Sequence, residues 1–172
     1  MDAPEDGSRD PSLSSHLAER AGRVGARMVD VSSKPATDRR ALARARVAFP
    51  PGVRERLLAG EGPKGAVEEV ARVAGVLAAK RTGELVPLCH PLALDHVDVT
   101  FAPAGEDALE VRCSAACHGR TGVEMEALVG AAVAALTVID MAKGLGKEVR
   151  IEVVELLEKS GGKSGTWRRA TR

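Results

Sequence analysis

One long apolar segment carries acidic and basic side chains of the types that exchange protons. Asp140 and Lys143 lie three residues apart near the end of Thr121–Lys147, in which alanine, valine and leucine dominate. One interpretation is an ordinary helix ion pair, worth about 0.2–0.5 kcal/mol. The other is functional, because apolar surroundings desolvate both groups and shift their pKa values in ways that suit acid–base chemistry. We favour the functional interpretation.

The start of the same segment carries Glu124, Met125 and Glu126. Glu124 follows Thr121 by three residues, which matches a helix capping box. Glu126 has no such explanation, so with Met125 it either lines a pocket or begins the solvated end of the helix. Fourteen residues separate Glu126 from Asp140, or about 21 Å along a helix. These two carboxylates therefore serve different purposes, or a second subunit brings them to one ligand.

The motif Leu88-Cys89-His90-Pro91 is the most unusual local feature of the chain. Proline stands at positions 87 and 91, and it restricts the backbone on both sides of the histidine. A ligand-contacting or proton-transferring role suits His90, because imidazole titrates near neutral pH. A loop histidine without a role, beside a small buried Cys89, explains the local sequence equally well.

Four lysines are candidates for binding an anion. Taken singly, each is explained by solvation, and the one that ends a predicted helix also by its favourable placement on the helix dipole. The functional alternative is an anion pocket that the fold assembles. The turn SGGKSG permits a phosphate-binding backbone nest or a flexible tail, but it is not a Walker loop, because Leu157 replaces the required glycine. The lysines are Lys64, Lys80, Lys159 and Lys163.

Composition excludes several functional classes. The 25 basic residues balance 24 acidic ones, which argues against a general nucleic-acid or membrane-surface binder. Cys113 and Cys117 lie about 13 Å apart on an extended strand, and no CxxC or HExxH motif is present, so we expect no metal site. Three cysteines outside a disulfide framework, without a signal peptide or membrane span, predict a cytoplasmic protein.

The periodicity of apolar residues predicts an α+β fold. Helices are expected at Val53–Leu58, at Pro63–Lys80 and at Gly122–Lys143, the last apolar enough to be buried all round. Val67, Val70, Ala74 and Leu77 form the expected core stripe of the second helix. LVPLCHPLAL is expected to be an extended, rigid loop. Alternation predicts strands at Arg39–Phe49, His96–Ala102, Leu109–Ala116 and Glu148–Leu157.

The order strand, helix, strand, strand, helix, strand is that of a ferredoxin-like split β-α-β fold. It predicts an antiparallel sheet with helices on one face. Residues 1–27 are predicted to be a mobile tail with a short helix near 15–21. Residues 28–158 are predicted to form a single domain, and 159–172 a Gly/Lys-rich tail.

Six segments resemble the cyclic pyranopterin monophosphate synthase family of molybdenum cofactor biosynthesis. In chain order they are MVDVSSK, KGAVEEVARVAGVLAAKRT, LVPLCHPL, TGVEMEAL, AALTVIDMAK and LLEKSGGKSG. The resemblance implies a ferredoxin-like subunit in a homohexamer, a trimer of dimers, with active sites at the dimer interface. It implies a lyase that converts (8S)-3′,8-cyclo-7,8-dihydroguanosine 5′-triphosphate into cyclic pyranopterin monophosphate and diphosphate. No cofactor is implied.

The resemblance also implies residue roles. Asp140, Lys143 and Lys64 are implied to be catalytic. A triphosphate requires several cations, and rebuilding the ring system requires repeated proton transfers. The competing hypothesis is a non-catalytic, ferredoxin-like nucleotide-sensing module; RNA binding is weaker still, because aromatic residues make up 2% of the chain. The implied substrate-binding residues are Leu88, Cys89, His90, Glu124, Met125, Glu126, Lys80, Lys159 and Lys163.

Overall fold

Strands form where apolar and polar residues alternate along the chain. The computed structural model describes residues 17–20 and 23–170, and among them it contains a small hairpin and a five-stranded sheet. The hairpin pairs β1 (Leu17–Arg20) with β2 (Arg23–Ala26). The strands of the sheet are β3 (Thr37–Ala48), β4 (His96–Pro103), β5 (Ala108–Gly119), β6 (Arg150–Ser160) and β7 (Trp167–Arg168).

The sheet has the order β4-β5-β3-β6-β7, and every neighbouring pair is antiparallel. The first long strand, β3, therefore lies between β5 and β6. Without the short β7, this is the strand order of a ferredoxin-like fold. The predicted α+β class is confirmed, and the four predicted strands are present with ends shifted by up to three residues.

Two long helices cover one face of the sheet. The helices are α1 (Val53–Leu58), α2 (Val67–Lys80), α3 (Thr82–Leu85) and α4 (Glu124–Ala142). Helix α4 packs on β3, β5 and β6, and α2 packs beside it. Residues 86–95 form neither helix nor strand, as the prolines of that segment predicted.

The core consists mainly of small aliphatic residues, so the two helices approach closely. Ala43 and Ala45 of β3 are fully buried, as are Ala131 and Ala134 of α4. A Cβ atom added to Gly75 of α2 would lie 2.9 Å from the carbonyl oxygen of the facing glycine of α4. The helices therefore meet backbone to backbone, which the near absence of aromatic residues makes necessary.

The predicted core stripe of α2 was wrong, because the helix buries a different face. Val67 is buried, but Val70 and Leu77 are 47% and 50% exposed, and Ala74 is only partly buried. The helix instead buries Ala71 and its small neighbours. The reason is the close approach to α4, which admits only small residues and turns the branched ones outward.

Two expectations for α4 were also wrong. The N-cap is Val123 and no side chain caps this end. Glu124 is the first helical residue and not the third, so it cannot complete a capping box, and its carboxylate lies 3.1 Å from Lys159 Nζ. The helix is not buried all round, since Leu136 is 55% exposed. By length and hydropathy α4 would pass as a membrane span, but one side of it forms the core of this subunit.

Gly130 is expected to be the most restrictive position of α4. A Cβ atom there would lie 2.5 Å from the Sγ atom of Cys113, which is fully buried in β5. We expect Gly130→Ala to lower the free energy of unfolding by about 1–3 kcal/mol through overpacking. Adding Cys113→Ala removes the sulfur and should restore part of the loss. Urea unfolding of both single variants and the double variant measures this coupling; strict additivity would contradict it.

The N-terminal predictions fall mainly on residues 1–16 and 21–22, which lie outside the described part of the chain. The mobile tail therefore stays a prediction. The prediction of a short helix near 15–21 was wrong for its described residues, Leu17–Arg20, which form β1. At the other end, β6 runs to Ser160, so the sheet continues into the segment expected to be a tail.

Candidate active site

The C-terminal end of α4 carries a compact ion-pair cluster, which we call the aspartate cluster. It consists of Asp140, Lys143 and Lys64. Lys143 Nζ lies 2.7 Å from one carboxylate oxygen of Asp140, and Lys64 donates a hydrogen bond to the other. Lys64 comes from the loop before α2, whereas its two partners are one helical turn apart. All three residues with predicted catalytic roles are therefore in direct contact.

Ion pairing, and not burial, dominates the pKa of Asp140. The hydrogen bonds from Lys143 and then Lys64 lower its pKa to about 2. The expected desolvation of the pair was wrong, because the Asp140 side chain is 49% exposed. Its carboxylate is thus ionised at neutral pH and holds two ammonium groups at fixed positions.

The opposite end of α4 borders a cleft of about 380 Å³, which we call the histidine cleft. His90 Nε2 donates a 2.8 Å hydrogen bond to the carbonyl oxygen of Val29. In the neutral ring this bond leaves the Nδ1 lone pair available to accept a proton. The proline-flanked loop and the start of α4 thus meet here. The lining includes Leu88, Cys89, His90, Glu124, Met125 and Glu126.

Glu126 is the buried acid of the histidine cleft. It is only 4% exposed, and burial raises its pKa, with a smaller contribution from the charge of Glu124. Burial likewise raises the pKa of the Cys89 thiol. A raised pKa makes a carboxyl group more apt to carry and donate a proton than a solvated carboxyl group, so the buried environment of Glu126 favours the pocket interpretation over the solvated one.

Glu126→Gln is expected to stabilise the fold near neutral pH. The folded pKa is raised, so the folded protein binds this proton more tightly than the unfolded chain does. Its stabilising contribution is present below the unfolded pKa and is lost as the pH rises through the folded value. The free energy of unfolding, measured with urea from pH 4 to 8, should therefore fall more steeply with pH for wild type than for Glu126→Gln. The matched control is Glu106→Gln, at an exposed loop position; equal slopes in all three proteins would contradict the prediction.

A larger cleft, of about 1000 Å³, adjoins the histidine cleft, and we call it the basic cleft. The turn at Gly162–Ser164 forms one wall, and the first residues of β3 form another. Lys159 Nζ contacts both Glu124 and Ser164 Oγ, at 3.1 and 3.3 Å. Five cationic residues line this cleft: Lys34, Arg39, Arg120, Lys159 and Lys163.

The two clefts are adjacent, because both are lined by Lys34, Thr121, Gly122 and Glu124. Their combined shape offers a strongly cationic part beside a part with a histidine and a buried carboxyl. Such a site suits a molecule with several phosphates at one end and a polar ring system at the other.

Sequence reasoning missed Lys34, Arg39 and Arg120 as residues that line the basic cleft. Lys34 ends the MVDVSSK segment, which offered a signal only through the resemblance. Arg39 follows the alternation of β3, and its Nε atom donates to the Gly119 carbonyl at 3.3 Å. That contact joins β3 to the end of β5, so only the sheet order could reveal that these cations share one cleft.

Lys80 and the aspartate cluster are not brought to these clefts within one subunit. Lys80 is exposed at the end of α2 and is not among the residues that line either cleft. Glu126 and Asp140 lie on the same helix, about 21 Å apart along its axis. Across residues 17–20 and 23–170, no group of three or more His, Cys, Asp or Glu side chains is arranged to hold a metal ion.

The segments that build these sites are shared with a known family. The family model described as MoaC matches residues 28–162. This range includes the aspartate cluster and every residue that lines the two clefts except Lys163 and Ser164. The chain belongs to the MoaC family.

Similar curated members of this family extend over nearly the same length. The chain is 52% identical to the cyclic pyranopterin monophosphate synthase of Chloroflexus aggregans, over 90% of this chain and 93% of the relative. It is 52% identical to that of Thermomicrobium roseum, over 90% and 92%. It is 48% identical to cyclic pyranopterin monophosphate synthase 1 of Mycobacterium tuberculosis, over 90% and 89%.

Proposed function

We propose that this protein is a cyclic pyranopterin monophosphate synthase of molybdenum cofactor biosynthesis. It converts (8S)-3′,8-cyclo-7,8-dihydroguanosine 5′-triphosphate into cyclic pyranopterin monophosphate and diphosphate. The structural observation that supports this proposal best is that the basic cleft lies next to the histidine cleft and shares four lining residues with it. That arrangement fits a substrate in which a triphosphate is joined to a ring system.

The basic cleft is proposed to bind the triphosphate. Forming a cyclic monophosphate requires a substrate oxygen to bond to the α-phosphorus while the bond to the β-phosphate oxygen breaks and diphosphate leaves. Cations stabilise the charge that develops on the leaving diphosphate. Lys159 and Lys163 on one wall, with Lys34 and Arg39 on the other, are the groups that we assign to this role.

Proton transfers during ring opening and rebuilding are proposed for the remaining groups. Glu126 and His90 meet the ring system in the histidine cleft. The aspartate cluster supplies ammonium protons, with Asp140 fixing the positions of Lys64 and Lys143. None of these steps needs a redox cofactor, because substrate and products are related by bond rearrangement and loss of diphosphate.

We propose a homohexamer, a trimer of dimers, in which the histidine cleft of one subunit receives the aspartate cluster of another. Two observations support it: the separation along α4, and exposed apolar side chains, which are a stripe of Val70, Val73 and Leu77 on α2 and Leu136 on α4. Exposed apolar stripes of this kind mark protein interfaces. We place the enzyme in the cytoplasm, where the free thiols of its three cysteines stay reduced.

The direct test is turnover of the purified protein with the cyclised triphosphate, following diphosphate release and formation of the cyclic monophosphate. Wild type is expected to release one diphosphate for each product molecule. Light scattering should give six times the 18.0 kDa subunit mass. Binding without diphosphate release would favour the nucleotide-sensing hypothesis, and a stable monomer would remove the basis for a site shared between subunits.

A further inference from the structure

The residues after the SGGKSG turn fold back onto the sheet. In β7, Trp167 lies opposite Lys159 and Arg168 lies opposite Glu158. The backbone N–H of Arg169 then donates to the carbonyl oxygen of Leu157 at 2.8 Å. This pairing closes a hairpin whose loop, residues 161–166, places Lys163 and Ser164 in the wall of the basic cleft.

The near side of this loop is held by close backbone packing. Gly161 and Gly162 have φ values of 97° and 70°, which favour glycine. A Cβ atom on Gly161 would overlap the carbonyl oxygen of Asp38, and one on Gly162 would overlap the guanidinium of Arg39. The loop therefore begins pressed against the start of β3.

Arg169 helps to hold the far side of the loop, next to an ion pair between Arg168 and Glu158. The Nε atom of Arg169 donates to the carbonyl oxygen of Leu156 at 2.7 Å and lies 3.1 Å from the Glu155 carboxylate. Its guanidinium lies over the Trp167 ring, 5.7 Å from the centroid. Glu155 is itself anchored to β3, 2.7 Å from Arg44. Arg169 thus ties the end of the chain to the centre of the sheet.

These contacts matter because β7 is short. Two residue pairs of a strand ladder are marginal without side-chain support. If β7 frays, the loop keeps its glycine end but loses its second attachment. Lys163 and Ser164 then have to be ordered when a ligand binds, which costs affinity.

We propose that Arg169 is a positioning residue that pre-organises the phosphate-binding wall formed by Lys163 and Ser164. The identity of the natural ligand rests on the proposed function, but the order of this loop is a property of the free protein. Loss of the attachment removes binding energy that substrate and transition state share. It therefore raises KM more than it lowers kcat.

The test compares Arg169→Ala with wild type, using inorganic tripolyphosphate as the probe in calorimetry at fixed salt. We expect about tenfold weaker binding, the size expected for a charge-assisted contact that is no longer pre-formed. Trypsin should cleave after Lys163 faster in the variant. The KM for the cyclised triphosphate should rise about as much as the tripolyphosphate affinity falls.

Arg150→Ala is the matched control, because Arg150 is an exposed arginine at the start of β6 whose ion pair with Glu152 lies outside both clefts. It should leave tripolyphosphate affinity and cleavage after Lys163 unchanged. Arg169→Lys keeps the charge without the planar guanidinium and should fall between wild type and Arg169→Ala. This milder variant also supports the comparison if the alanine variant folds poorly.

Unchanged tripolyphosphate affinity and unchanged cleavage in Arg169→Ala would overturn the positioning role, even in a fully active enzyme. An equal loss of tripolyphosphate affinity in Arg150→Ala would also overturn the positioning role, because it would indicate a general effect of removing a positive charge. If wild type releases no diphosphate but Arg169→Ala still loosens the loop and weakens tripolyphosphate binding, the proposed function fails and the positioning role stands.

Discussion

Asp140→Asn is expected to lower turnover by about 100- to 10,000-fold, the range over which positioned acid–base groups contribute. The amide keeps the shape of the side chain but removes the charge that holds Lys143 at 2.7 Å and binds Lys64 on its other oxygen. Folding should be little affected, because exposed ion pairs add about 0–1 kcal/mol. Single-turnover diphosphate release measures the first effect, and circular dichroism with thermal unfolding measures the second.

Asp98→Asn provides the matched control for that experiment. The Asp98 side chain is 48% exposed and lies 4.0 Å from Arg72, so the same chemical change is made at similar exposure in another ion pair. Its turnover should stay close to wild type. Near-normal turnover by Asp140→Asn would remove the aspartate cluster from the catalytic site, whatever the control does.

Two inactive variants are expected to restore activity to each other when their subunits assemble together. Asp140→Asn damages the aspartate cluster and leaves both clefts intact, whereas His90→Ala damages the histidine cleft and leaves the cluster intact. If each site combines parts of two subunits, random assembly of an equal mixture gives about one quarter of sites with neither change. Turnover of the co-assembled mixture should recover to about that fraction of wild type.

The control for complementation mixes Asp140→Asn with Lys143→Ala. Both changes fall in the aspartate cluster, so every site in the mixture lacks an intact cluster and activity should not recover. Differently tagged subunits show by two-step affinity purification that mixing took place. Equal activity in the two mixtures would mean that each site is built within one subunit.

The sheet could be predicted because alternation is a local property. Buried Ala41, Ala43 and Ala45 on one side of β3 are visible in the sequence as every second residue. The order of the predicted elements then restricted the topology to one familiar arrangement. The phase of α2 could not be predicted, because Val70 and Leu77 are as apolar as any core residue. Only the close approach of α4 determines that smaller residues face inward.

Some contacts of the candidate site could likewise be predicted from the sequence, and others could not. The contact between Asp140 and Lys143 follows from helical spacing, and the resemblance supplied Lys64 as their third member. The basic cleft required tertiary information, since Lys34, Arg39 and Arg120 converge only when β3 lies beside β5. The capping box failed because the helix begins at Glu124 itself and not after Thr121. The Glu124 carboxylate instead binds Lys159, on another strand, and local patterns cannot show such a contact.

Because α4 carries the histidine cleft at its first turn and the aspartate cluster at its last, the helix acts as a spacer of fixed length and fixed angle. Removing one residue from its middle would shorten it by about 1.5 Å and rotate one end against the other by about 100°. The histidine cleft and the aspartate cluster would then lose their present relative position. Natural variation in this segment should therefore consist of substitutions, while insertions and deletions collect in loops such as residues 103–107.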